Sequence, residues 1–143
     1  MPTGTKRDVY TTYRFWVEID GITEAAFSEC SGLQVETEVF EWQEGGLNDY
    51  VHRLPGRIKF SNITLKRGIA GAALWEWYCG NFEGQIKRRT LSIVLGGYAG
   101  ATPVRWNIVG ALPIKWTGPT LKADANETAV ETIELAHHGF KRV

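Results

Sequence analysis

In "TYRFWVEID", the residues Tyr13, Phe15, Val17 and Ile19 alternate with Arg14, Trp16, Glu18 and Asp20. Successive side chains of a β-strand point to opposite faces, so a period of two fits a strand with one buried side and does not fit a helix. The rhythm returns in "LQVETEVFEW", where Leu33, Val35, Thr37 and Val39 share one face and Gln34, Glu36, Glu38 and Phe40 the other. Trp16 and Phe40 are aromatic exceptions on otherwise polar faces.

Other runs extend the β pattern. "AAFSECSG" reads as a short strand closing in a Ser-Gly turn. In "RIKFSNITLKRG" the apolar phase changes between Ile58/Phe60 and Ile63/Leu65, so a β-bulge or corner is expected near Ser61-Asn62. "RRTLSIVLGG", "VRWNIVGALPIKW" and "TAVETIELAHHGF" supply three more strands, and Pro113 implies an edge position or a bend in the middle one. Only "IAGAALWEWYCGNF" has helical spacing, with Leu74, Trp77 and Tyr78 at i, i+3 and i+4 and Gly80 to end it. The expectation is a mainly β protein of six or seven strands, a β-sandwich or barrel-like fold with one short flanking α-helix. Residues 1–10 are polar, carry Pro2 and Gly4, and are expected to be a flexible segment preceding a single domain over 11–143.

At 143 residues the chain is long enough for one core and short for two. Its 16 basic and 16 acidic residues cancel, so no global field recruits nucleic acid or acidic lipid. The first residues lack a signal-peptide core and no run approaches the roughly 20 apolar residues of a membrane span, so synthesis in the cytoplasm with no membrane anchor is expected. Cys30 and Cys79 are isolated in sequence, with no metal-ligand spacing, and are expected to be reduced.

Catalytic and metal chemistry finds little support. His137 and His138 are neighbours that a strand sends to opposite faces, and His52 is distant in sequence, so no metal site is expected. Glu36 and Glu38 lie about 7 Å apart along a strand, a separation open to a glycosidase pair. Such a pair needs one acid in an apolar pocket, whereas carboxylates at i and i+2 are the ordinary dress of a wet strand face. Gly45-Gly46 lacks the following helix of a phosphate loop, and the Lys87–Arg89 run is too short for a nucleic-acid surface. No catalytic residue and no cofactor are assigned. A carbohydrate-binding β-sandwich, using some of the six tryptophans, stays open at this point.

"EWQEGGLNDYVHRLPGRIKF" poses a different problem. Its Gly-Gly, Asn-Asp and Pro-Gly pairs mark a long connection, yet it carries Leu47, Tyr50, Val51 and Leu54, too much apolar surface for a free loop. Gly45 and Gly46 would let the backbone pass close to a partner, and Pro55-Gly56 would return the chain to the next strand.

Taken in order, "YRFWVEIDGI", "AAFSECSGLQVETEVFEWQEGG", "RLPGRIKFSNITLKRGI", "LWEWY", "RWNIVGALPIKWTGPTL" and "ETAVETIELAHHGF" resemble the inner tail-tube proteins of contractile phage tails and extracellular contractile injection systems. The resemblance covers about residues 9 to 140. It implies a homo-hexameric ring that stacks into a hollow tube, a conduit and piston for protein or nucleic-acid cargo. It also implies sheath and baseplate or tube-initiator partners, a place in an assembled phage-tail-like particle, and no enzymatic activity. Under it Gly45, Gly46, Leu47, Tyr50, Val51, Leu54 and Pro55 become an assembly arm reaching another subunit or ring. Trp16 and Phe40 become candidate subunit contacts, and Glu36 and Glu38 candidate lumen-facing groups. A type VI secretion tube or effector shares the implied fold and is the alternative.

Overall fold

The alternating run beginning at Phe15 forms β1 (Phe15–Ile19), with Val17 and Ile19 buried and Trp16 and Glu18 outward, as its period requires. The computed structural model describes residues 10, 14–22, 27–42, 52–85, 87–97 and 101–143. Of the segment 1–10 expected to be flexible, only Tyr10 falls among them, and its hydroxyl donates to the Thr102 carbonyl at 2.6 Å.

After β1 come β2 (Glu29–Ser31), β3 (Val35–Trp42), β4 (His52–Phe60), β5 (Ile63–Gly68), α1 (Ala73–Cys79), β6 (Arg89–Leu95), β7 (Val104–Thr117), β8 (Val130–Ala136) and β9 (Phe140–Arg142). Seven strands form one antiparallel sheet. Its path is β1-β6-β7-β8-β5-β2, and β9 pairs with β7 beside β8. The ends of the path, β1 and β2, do not pair with each other, so the sheet curls without closing. Val17, Ile63, Leu65, Leu91, Ile108 and Ile133 meet inside the curl, and Leu74 and Trp77 of α1 complete the core. Gly80 ends the helix as expected, its N–H turning back to Trp77 O.

β7 explains how one sheet wraps a core. Its first half pairs with β6 and its second half with β8, and the β8 register shifts between Pro113 and Lys115. Pro113 is buried within this long strand at the register shift, past the last residue paired with β6, so it marks a bend where one side of β7 has no ladder partner.

One polar contact lies within the core. Arg67 of β5 and Glu131 of β8 are register partners, each 2% exposed, with Arg67 Nε donating to Glu131 Oε1 at 2.6 Å. Trp116 Nε1 donates to the other carboxylate oxygen at 3.1 Å, and the guanidinium lies 5.7 Å from the centre of the Phe27 ring. A buried carboxylate needs this many partners to offset lost hydration.

β3 and β4 stand apart as their own two-stranded sheet and pack substantially only on each other among the described elements. The expected change of phase near Ser61-Asn62 is thus a corner where the chain leaves this ribbon and enters β5.

Candidate functional site

The β3–β4 ribbon is the feature that the core does not account for. Val35, Val39, Phe40, Trp42, Leu54 and Ile58 are each between 51% and 59% exposed. Sequence periodicity gave the Val35/Thr37/Val39 strand one buried face; among the described residues that face is uncovered, because no described element packs beneath the ribbon.

Register sorts the ribbon into two unlike faces. On one, Val35, Thr37 and Val39 oppose Phe60, Ile58 and Pro55. On the other, Glu36 opposes Lys59, Phe40 opposes Leu54 and Trp42 opposes His52. The first is apolar from its root to Val39, apart from the Thr37 hydroxyl, and ends in Glu41 opposite Arg53, an exposed pair 4.0 Å apart. The second is charged near the root and aromatic toward the far end, where the Trp42 and His52 ring centres lie 5.6 Å apart.

The register slips by one residue between Thr37 and Val39, a β-bulge. Pro55 and Gly56, expected to turn the chain back, lie inside β4 beside this bulge. A two-stranded ribbon tolerates a proline because one side of each strand has no ladder partner. Gly56 is required for space: a Cβ there would run into the Phe40 ring.

Glu36 and Glu38 sit on the charged face. Lys59 Nζ lies 2.8 Å from Glu38 Oε1, and that hydrogen bond, reinforced by the charge of Glu38 and then of Glu36, raises the Lys59 pKa above its ordinary value. A raised lysine pKa means that the lysine's contribution is present at neutrality and is lost as pH climbs through the alkaline range. Glu36 is exposed and Glu38 is half-buried in its pair with Lys59, and neither has the apolar pocket that a general acid needs.

Trp16 is 41% exposed, and its Nε1 donates to Glu18 Oε1 at 3.2 Å while Arg105 Nη1 donates to Glu18 Oε2 at 3.0 Å. The Arg105 bond and then the Trp16 bond lower the Glu18 pKa. Of the proposed arm, Leu54 and Pro55 lie in β4; Gly45, Gly46, Leu47, Tyr50 and Val51 lie outside the described residues. What the sequence reading missed is the role of Lys59 and Ile58, which it read only as part of the strand run before the phase change at Ser61-Asn62.

A second exposed aromatic cluster lies over α1. Trp75 meets Trp116 at 4.8 Å between ring centres, with Tyr78 and Phe82 beside it. Of the remaining tryptophans, Trp77 is buried with Nε1 donating to Lys87 O, and Trp106 packs partly buried against the core. An open groove of about 340 Å³ between β1, β6 and β2 is lined mainly by Phe15, Cys30, Leu33, Ile93, Leu95 and Trp106. Burial pushes the Cys30 thiol up to about 11, which leaves it protonated and a poor nucleophile near neutrality. Among the described residues both cysteines are free, and no three His, Cys, Asp or Glu side chains converge on a metal position. No helix of the described residues is long and apolar enough to cross a membrane.

With this geometry in hand, the deciding observation is that residues 11–141 match the family model described as T4-like virus tail tube protein gp19. The chain belongs to that tail tube family. The tube protein is also similar to solved chains of contractile injection systems. One, from the sheath-tube complex of the extracellular contractile injection system PVC in its extended state, is 27% identical with a TM-score of 0.81, covering 94% of this chain and 91% of that one. Another, from the tube-terminating cap of the anti-feeding prophage, is 28% identical with a TM-score of 0.81, covering 99% and 95%. A chain from the anti-feeding prophage baseplate shares the fold at 23% identity and a TM-score of 0.83, covering 96% and 97%. The type VI alternative is more distant: Hcp1 from Flavobacterium johnsoniae has a TM-score of 0.55 at 10% identity, over 91% of this chain and 94% of that one. No curated protein matches the tube protein significantly.

Proposed function

We propose that the tube protein assembles into homo-hexameric rings that stack into the hollow inner tube of a phage-tail-like particle, made in the cytoplasm, enclosed by a sheath and started on a baseplate. The tube acts as conduit and piston, and the subunit catalyses no reaction. The observation that carries this reading is the β3–β4 ribbon, whose apolar face has no cover within the described residues and needs a neighbour. Support for the partners comes from the similar chains, which were solved in sheath-tube and baseplate assemblies. A ring also removes the unpaired strand edges that a curled, unclosed sheet leaves exposed.

In this assembly the ribbon, together with Gly45, Gly46, Leu47, Tyr50 and Val51 beyond it, is the arm that reaches another subunit or ring. Leu54, Pro55 and Phe40 are contact residues on it, and Trp16 is a contact on the body. Concentrated protein viewed by negative-stain microscopy, with native mass measurement, is expected to show hexameric rings and tubes. A strictly monomeric species at high concentration, baseplate partners present, would refute the reading.

Glu36 and Glu38 are assigned to the lumen wall, where a sixfold repeat of hydrophilic groups lets cargo slide and repels acidic cargo at low salt. Reversing both to Lys is expected to leave tube formation and sheath binding largely unchanged while increasing retention of nucleic acid inside the tube. Loss of sheath attachment with unaltered lumen contents would place this face outward instead.

A further inference from the structure

The arm meets the body at a small root. On one leg the Ser61-Asn62 corner links β4 to β5; on the other, Gly32–Gln34 link β2 to β3. Ser61 N–H donates to Gln34 O at 3.1 Å, which ties the legs to each other. Gly32, at φ +98°, lies against the Asn62 carbonyl, where a Cβ would collide.

A different set of atoms ties this root to the end of the neighbouring strand β8. Between β8 and β9 the strand is interrupted at 137–139, opposite Gly110, whose φ of +67° and missing Cβ admit the His138 ring. His137 occupies the interruption. Its Nε2 lies 2.8 Å from Ser61 O, and its Nδ1 accepts the Gly139 N–H at 3.0 Å. The Phe60 ring, last residue of the arm, stands edge-on to Phe140 at 5.2 Å and 5.8 Å from the His137 ring. Gly139, at φ +131°, keeps the space that Phe60 uses.

The two backbone partners fix the tautomer. An amide N–H can only donate and a carbonyl can only accept, so Nδ1 is the acceptor and Nε2 carries the proton. The imidazole therefore bridges two segments 76 residues apart in sequence with both nitrogens committed. Asn62 adds a more exposed bond to Glu134 Oε1 at 3.1 Å, on the body side of the corner.

We propose that His137 is a positioning residue for assembly: by holding the Ser61 carbonyl it sets the direction in which the β3–β4 arm leaves the body. The angle at which the apolar face meets a second copy of the chain is then fixed before contact, which reduces the ordering that association requires. This inference rests on the arm reading above, but the direction of the arm is measurable in the monomer, without assembly.

The test places spin labels at Glu41→Cys on the arm and Lys115→Cys on β7, with Cys30→Ser and Cys79→Ser, in dilute monomer. One narrow distance distribution is expected for the parent. His137→Asn keeps an acceptor near Gly139 N–H but loses the donor to Ser61, and is expected to broaden the distribution. His137→Gln places a donor where Nε2 stood and is expected to keep it narrow. The protein concentration needed for tubes should rise about tenfold in His137→Asn and less in His137→Gln, the scale of one lost hydrogen bond plus a freed joint. Nitrogen chemical shifts of the unsubstituted ring, which require no substitution at His137, should report the Nε2–H tautomer. An Nδ1–H tautomer, or an unshifted narrow distance in both His137→Asn and His137→Phe, overturns the proposal. A broadened arm with tubes forming at the parent's concentration would uphold His137 as the setter of direction and instead sink the arm as an assembly element.

Discussion

Glu131→Gln is expected to lower the unfolding free energy by about 3–5 kcal/mol, the usual cost of removing one partner from a buried ion pair. The substitution preserves shape and replaces the charged group 2.6 Å from Arg67 Nε by a neutral amide in a site that is 2% exposed. A domain of this size holds about 5–15 kcal/mol in total, so much of the margin goes. Urea denaturation at neutral pH measures it. Arg67→Met combined with Glu131→Leu should recover most of the loss, because two apolar side chains leave no orphaned charge. A single-variant loss below about 1 kcal/mol would mean the pair is far better hydrated than its burial implies.

The second large effect concerns assembly and should leave the subunit nearly untouched. Val35→Thr, Val39→Thr and Ile58→Thr together keep β-branched side chains in the ribbon while removing apolar surface that is more than half exposed. The subunit should lose less than about 1 kcal/mol, since exposed substitutions rarely cost more. Rings and tubes should disappear at concentrations where the parent forms them, because the centre of an interface carries most of its affinity. Normal tubes from the triple variant would show that another surface makes the contact. A subunit unfolded by these three changes would show that the face is covered within its own chain.

Much of the fold was legible because short-range rules governed it. Val17 and Ile19 in β1, and Ile63 and Leu65 in β5, are buried in the phase their alternation required. The short helix, its Gly80 stop and the corner at Ser61-Asn62 were likewise local. Alternation says that a strand has two faces and nothing about what covers each, so Val35 and Val39 read as the buried face of a strand whose cover the described residues do not provide. Pro55-Gly56 has the composition of a turn, and only pairing with Val39 and the Phe40 ring above Gly56 shows why it lies within β4. Nothing in the local sequence marks Arg67 and Glu131; they become a buried pair only when β5 and β8 are brought together across 64 residues. Six or seven strands were expected where nine are described: "RIKFSNITLKRG" divides at its corner into β4 and β5, and the closing run divides at 137–139 into β8 and β9, the latter too short at three residues to show a period.

The solitary character of the β3–β4 ribbon has a kinetic side. Two strands with no third strand or helix beneath them are marginally stable in water. On the assembly proposed above, the first subunits to meet must hold their ribbons in place before anything covers them, whereas later arrivals dock on ribbons already held. Growth is then slow to begin and quick to continue. Free subunits can accumulate without polymerising, and the number of tubes follows the number of starting platforms more closely than the amount of subunit made.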